Sequence, residues 1–316
     1  MPSSRDDPLP QAVDGTNFSR RQMYAFFSLQ IIGGHVGVPI ILATFLISGV
    51  RRHPLVVNFL GTWIIYATSF CLLLYTGYQF KHDIPRTLCI IQASLIHGVS
   101  LMAPIATFAF VLNLWLSTRA TCLVPDEEDG LTPPKRPMTS CNRVLLVAPY
   151  TVFLICVFVI LAVPDPKGDI IFRVEGSLYC TIQSSYTRIV PLIASSIMII
   201  VLILEGIIIA RLRKLNRIYG QLGSQQDYAP PIIVRIMLFS VCLFIALIAL
   251  CISIVTEVDL VSLHIIQSIL PTAVFVIFGT QKDLLEAWGL VGLWVKFKLI
   301  TRGRRVLCAS ARELAC

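Results

Sequence analysis

The sequence predicts an all-α fold, a seven-transmembrane helix bundle with its N-terminus outside and a short amphipathic eighth helix on the cytosolic side. Three observations carry this reading. Of 316 residues 56% are hydrophobic and 14% charged, with a mean hydropathy of +0.78. A soluble domain has to clothe itself in polar side chains, so this balance belongs to a chain whose main solvent is lipid. Seven stretches reach the length of about 20 apolar residues that a spanning helix needs. Lys and Arg, finally, fall unevenly on the two sides that seven spans define.

The stretches run Gln22–Val50, Pro54–Tyr78, Thr87–Leu116, Val144–Val163, Ile189–Ala210, Ile232–Thr256 and Leu260–Gly279. Turn and charge clusters part them, among them Arg51-Arg52-His53-Pro54 and Pro164-Asp165-Pro166-Lys167-Gly168. Pro104, Pro149 and Pro271 are candidate kinks in spans three, four and seven. Gly33-x-x-x-Gly37 in span one is a close-packing motif, within the bundle or between copies. Residues 1–21 are polar and read as an extracellular tail without a cleavable signal peptide. Residues 22–280 then form the membrane domain, 281–300 a juxtamembrane helix and 301–316 a basic cytosolic tail.

With the N-terminus outside, Arg5, Arg20, Arg21, Lys81, Arg86, Lys167, Arg173 and Arg188 lie on the outer side. The other eighteen of the 26 basic residues lie inside, mainly in Arg211–Arg217 and after Lys282. The net charge of +8 is therefore read as inner loops facing anionic lipid, not as a nucleic-acid site. The cysteines give a second test. Only Cys89, at the outer mouth of span three, and Cys180, in the second outer loop, meet an oxidising compartment, so a single disulfide would join them. The alternative is two free thiols. Asn17-Phe18-Ser19 is a glycosylation sequon on the expected outside.

Beyond Gly279, residues Leu284, Leu285, Trp288, Val291 and Val295 fall at helical spacing, with Lys282, Asp283 and Glu286 off that stripe. Seven spans, an outer N-terminus, a cysteine opening span three, a partner before span five and this amphipathic tail resemble the G-protein-coupled receptors. The resemblance implies an eighth helix on the inner leaflet, with Cys308 or Cys316 either palmitoylated or a spare cytosolic thiol. It also implies a plasma-membrane receptor that binds an extracellular small molecule or peptide and signals to a cytosolic G protein. Several motifs of the rhodopsin-like class are missing. Span three ends Asn113-Leu114-Trp115-Leu116-Ser117-Thr118-Arg119 in place of Asp/Glu-Arg-Tyr, and span seven has Leu270-Pro271-Thr272-Ala273-Val274 in place of Asn-Pro-x-x-Tyr. The chain is in this respect most similar to the divergent receptor-like proteins of fungi.

Charges inside the membrane are costly, so they are functional candidates by default. Glu205 in span five and Arg235 in span six are the two. They lie at similar depth near the cytosolic ends, with Arg119 at the foot of span three as a competing partner. Either each simply anchors at the headgroups, or Glu205 pairs with an arginine and holds a resting arrangement that ligand binding releases. In the outer half, Gln92, His97 and Ser100 of span three and His264, Gln267 and Ser268 of span seven lie on nearby turns. Together with His35 of span one these are candidates for a ligand pocket, or interhelical hydrogen-bond partners.

No span holds a lysine, so a retinal Schiff base has no attachment point. No two span histidines share a helix and the outer half has no carboxylate, which argues against a metal site. Phosphate loops, nucleophile elbows and paired carboxylates are missing too, so no enzyme and no cofactor are expected. The alternative to a receptor is a seven-helix transporter, which would predict internal repeats, broken helices or several midplane charges.

Overall fold

A computed structural model describes residues 20–47, 52–81, 84–121, 140–162, 171–172, 178–182, 185–221, 231–256 and 261–289. The Asn17 sequon, Cys308, Cys316, residues 290–316 and the side chain of Arg119 lie outside what is described. The fold is helical. The first membrane segment comprises α1 (Arg20–Gln30), a π-helical segment (Ile31–Gly37) and α2 (Val38–Ile47). It is followed by α3 (Pro54–Tyr75), α4 (Arg86–Thr121), α5 (Ser140–Leu161), α6 (Ser185–Gln221), α7 (Pro231–Thr256), α8 (Val261–Gly279) and the short α9 (Lys282–Ala287). A two-residue ladder, β1 (Ile171–Phe172) antiparallel to β2 (Thr181–Ile182), lies between α5 and α6.

Six helical segments are long and apolar enough to cross a membrane: Arg21–Ile47, Pro54–Tyr75, Arg86–Thr118, Arg143–Leu161, Ile189–Lys214 and Ile233–Ile252. The stretch His264–Gly279 of α8 is apolar but shorter. This is the pattern of a multi-pass membrane protein. The outer faces agree with it. Along α5, Val144, Val147, Leu154, Ile155, Phe158 and Val159 are all exposed, a continuous apolar face that water would penalise and hydrocarbon would not.

The helices close into a ring. The first segment packs on α3 and α8, α3 on α4, α4 on α6, α6 on α7, and α7 back on α8, while α5 lies against α4 and α3. Two of these contacts are specific. Asn58 of α3 donates through Nδ2 to the Leu146 carbonyl of α5 at 3.2 Å. Pro149, three residues further along α5, has no N–H for the neighbouring Leu145 carbonyl. Within the bundle Phe59, Trp63, Phe110, Phe239 and Phe278 interlock, with ring centroids 5.1–6.2 Å apart. These rings tie α3, α4, α7 and α8 into one core.

The glycine motif packs inside the bundle. A Cβ on Gly33 would overlap the backbone of Pro271 and Thr272, one on Gly34 would meet Ala67, and one on Gly37 would enter the Phe275 ring. These small residues therefore let the first segment press onto α8 and α3. The close contact coincides with the π segment, which widens the turn and leaves helix carbonyls without their usual donor. Thr272 Oγ1 donates to the Leu29 carbonyl at 2.7 Å.

Candidate functional site

Alternating helix directions give the bundle two ends. One carries the start of α1 and the link between α5 and α6; the other carries α9. At the first end Cys89 of α4 is bonded to Cys180, with Cα atoms 5.3 Å apart across 91 residues of sequence. Gln92, one turn below Cys89, is fully buried. Its Oε1 accepts from the Cys180 N–H at 3.0 Å, and its Nε2 donates to the Phe70 and Ser69 carbonyls of α3 at 3.3 and 3.4 Å. Gln92 thus clamps the linking segment to α3 and α4, and its hydrogen-bonding capacity is committed to protein.

The segment then enters the bundle. Leu178 and Cys180 are buried, and the Tyr179 ring packs against Phe26 of α1, Phe70 of α3 and His264 of α8. The Tyr179 hydroxyl is hydrogen-bonded to His264 Nδ1 at 2.6 Å. A segment of the chain itself thus fills space where the sequence suggested a ligand pocket. Sequence reasoning assigned no role to Tyr179; its only signal was an aromatic next to a constrained cysteine.

The other candidate residues are dispersed. His35 does not converge on this place: its Nε2 meets Thr68 Oγ1 at 3.0 Å and its Nδ1 the Tyr75 hydroxyl at 3.1 Å. Both partners are on α3 and both contacts are exposed. Ser100 Oγ bonds back to the Ile96 carbonyl of its own helix at 2.8 Å, and Ser268 does the same with Ile265 at 2.7 Å. His97 and Gln267 are half-buried, with no hydrogen bond to other described residues. Of the predicted set, His264 and Gln92 are therefore the two brought together around the loop.

At the α9 end Glu205 and Arg235, which one of the two sequence readings paired, make two separate contacts. Glu205, buried on α6, accepts from Ser240 of α7 at 2.7 Å through Oε1, while its Oε2 has no partner among the described residues. Arg235, about a turn and a half nearer that end of α7, reaches α8 instead. It donates to the Ile277 carbonyl, to Thr280 Oγ1 at 2.6 Å and to the Thr280 carbonyl at 2.8 Å. The last carbonyls of a helix lack intrahelical donors and carry partial negative charge, so a guanidinium finds ready acceptors there. Both contacts converge on α7, fastening it to α6 on one side and α8 on the other.

Helix α9 is held against the foot of the first segment. Arg52 and Asp283 form an ion pair at 2.6 Å, Trp288 Nε1 donates to Thr44 Oγ1 at 2.8 Å, and Leu284 is buried. Among the described residues no group of three or more His, Cys, Asp or Glu side chains could hold a metal ion. Comparison with known proteins finds no matching family model and no matching curated protein.

Proposed function

We propose that the chain is a seven-span receptor of the plasma membrane that binds an extracellular small molecule or peptide and signals to a cytosolic G protein. In this reading α8 is the seventh span. Its 19 residues give about 28 Å of helix, near the roughly 30 Å of a hydrocarbon core. The disulfide end faces outward and α9 is the eighth helix on the inner leaflet. The observation that carries the reading is the two-sided fastening of α7 near its inner end. Polar contacts of this kind, close to the interface, hold one packing arrangement without the full penalty of a wholly buried charge pair. A ligand that binds better to the arrangement with α7 released shifts the bundle toward it. Arg211, Arg213 and Lys214 on the neighbouring stretch of α6 then offer positive charge to a partner.

The resting contacts differ from the sequence expectation, since Arg235 holds α8 and Glu205 holds Ser240. The direction of the consequence is unchanged: weakening either contact raises basal signalling. The test is reciprocity. In purified membranes, adding a non-hydrolysable GTP analogue should change the affinity of an outer-face ligand or nanobody, because two coupled sites influence each other equally. An affinity indifferent to nucleotide, with solute counterflow in proteoliposomes, would replace the receptor by a transporter.

A further inference from the structure

The enclosure around Tyr179 has a chemistry of its own, whatever occupies it. Its walls are Phe26, Phe70 and His264, with ring centroids 6.4, 5.2 and 5.3 Å from that of Tyr179. Phe70 and His264 meet the ring nearly edge to face, at 82° and 78°. This is an arrangement aromatic pairs favour. A polar contact, His264 Nδ1, reads the hydroxyl. The enclosure therefore recognises a flat ring bearing one hydroxyl. Its occupant is held by a loop whose anchor is the adjacent Cys180, through the disulfide and the Gln92 clamp. That anchor fixes the loop backbone at Cys180.

Deeper in the bundle lies an independent observation. Gln30 follows Phe26 by four residues on the same face of α1, about 6 Å further from the loop. It is 0% exposed, and among the described residues neither its Nε2 nor its Oε1 has a hydrogen-bond partner. Trp63 of α3 is also fully buried, and among the described residues its Nε1 has no hydrogen-bond partner. The rings of Phe70, Tyr66 and Trp63, at successive centroid separations of 4.8 and 5.1 Å, continue inward from Tyr179 along α3, and the Trp63 backbone lies level with Gly34, a turn beyond Gln30. Buried amide and indole groups without partners are unfavourable in an apolar interior, so they suit a ligand bringing its own donors and acceptors. Gln30 also immediately precedes the π segment, a distortion that often marks functional sites.

We propose that this end of the bundle, between α1, α3 and α8, is a binding site for a small molecule with a phenolic head and a hydrogen-bonding arm. Tyr179 is its occupant in the ligand-free state. The ligand exchanges its ring for that of Tyr179 at His264, and its arm reaches Gln30. The inference deepens the receptor reading by naming the ligand class, and rests on that reading for its signalling consequence alone.

Binding is measured by calorimetry on the full chain in lipid nanodiscs, with three probes: p-cresol, toluene and 3-(4-hydroxyphenyl)propanamide. Tyr179→Ala should bind p-cresol about fivefold more tightly than toluene, one hydrogen bond's worth, and adding His264→Leu should erase that preference. The amide-bearing probe should bind Tyr179→Ala more tightly than p-cresol does, and Gln30→Leu should remove that gain. If Tyr179→Ala does not fold, Tyr179→Phe replaces it. There p-cresol should outbind its own level on the unsubstituted protein, because it competes with a ring that no longer bonds His264. Equal affinities for p-cresol and toluene, an amide gain that survives Gln30→Leu, or no gain in Tyr179→Phe would overturn the proposal. None of these readings involves a G protein. Loss of the nucleotide effect with binding intact sinks the receptor reading, and the converse result sinks the site.

Discussion

Glu205 and Arg235 behave as two local problems with two local solutions. A carboxyl group at this depth needs donors, and the one supplied by α7 is Ser240 at 2.7 Å. Ser240→Ala leaves both carboxyl oxygens without a described partner, so it should destabilise by about 1–3 kcal/mol. Glu205→Gln keeps an acceptor for Ser240 and should cost less, while raising basal signalling if the proposed receptor function holds. Thermal unfolding in detergent, beside second-messenger output in cells, separates these outcomes. Equal stability losses for the two variants would discount the Ser240 contact. Arg235→Gln should raise basal output as well, since it removes most of the donors that reach Ile277 and Thr280. If Arg235→Gln and Glu205→Gln both leave signalling unchanged, these groups are anchors and no switch resides there.

At the scale of elements, the first segment illustrates how a membrane helix can be distorted and still satisfy its backbone. Its π segment and three glycines bring it against α8, where Thr272 supplies a hydroxyl to the Leu29 carbonyl. The glycines are not equivalent. A methyl at Gly33 would strike backbone of α8, which has nowhere to go, whereas one at Gly37 would strike the Phe275 ring, which can rotate. Gly33→Ala should therefore destabilise by roughly 1–3 kcal/mol or more, and Gly37→Ala by less. The measurement is a denaturation series on both variants, and the reverse ranking would mean that α1 is free to slide on α8. Thr272→Val should cost only about 0.6 kcal/mol, the usual worth of an interhelical hydrogen bond in lipid.

For the whole molecule, the predictions concern sidedness and the loop closure. An N-terminal tag should be labelled on intact cells, and a tag after Cys316 only after permeabilisation. Surface labelling of the C-terminal tag would refute the seven-span, N-out arrangement. The Cys89–Cys180 bond closes a chain segment of 91 residues. Chain entropy alone would make such a closure worth up to about 4–5 kcal/mol, less because the membrane already confines the ends. Cys89→Ala should accordingly lower surface expression, read by flow cytometry, since Tyr179 and Leu178 then lose their tether. Unchanged expression would mean that the Gln92 clamp holds the loop without the sulfur bond.

What the sequence determined by itself is what depends on local composition. Apolar runs of spanning length are readable because lipid forces each one to satisfy its own backbone. The cysteine pair was legible because alternating spans sort thiols by compartment, and Gly33-x-x-x-Gly37 because close approach requires small residues. Residues 282–287 were legible as helix from spacing. What only the tertiary structure decided is who meets whom. Similar depth suggested that Glu205 and Arg235 pair, but depth does not fix the azimuth of a side chain about its helix. Ser240 and the end of α8 lie at the angles where those two side chains point. Tyr179 was silent in sequence for the same reason. A loop tyrosine is unremarkable until a disulfide and a buried glutamine place its ring among three helices distant along the chain.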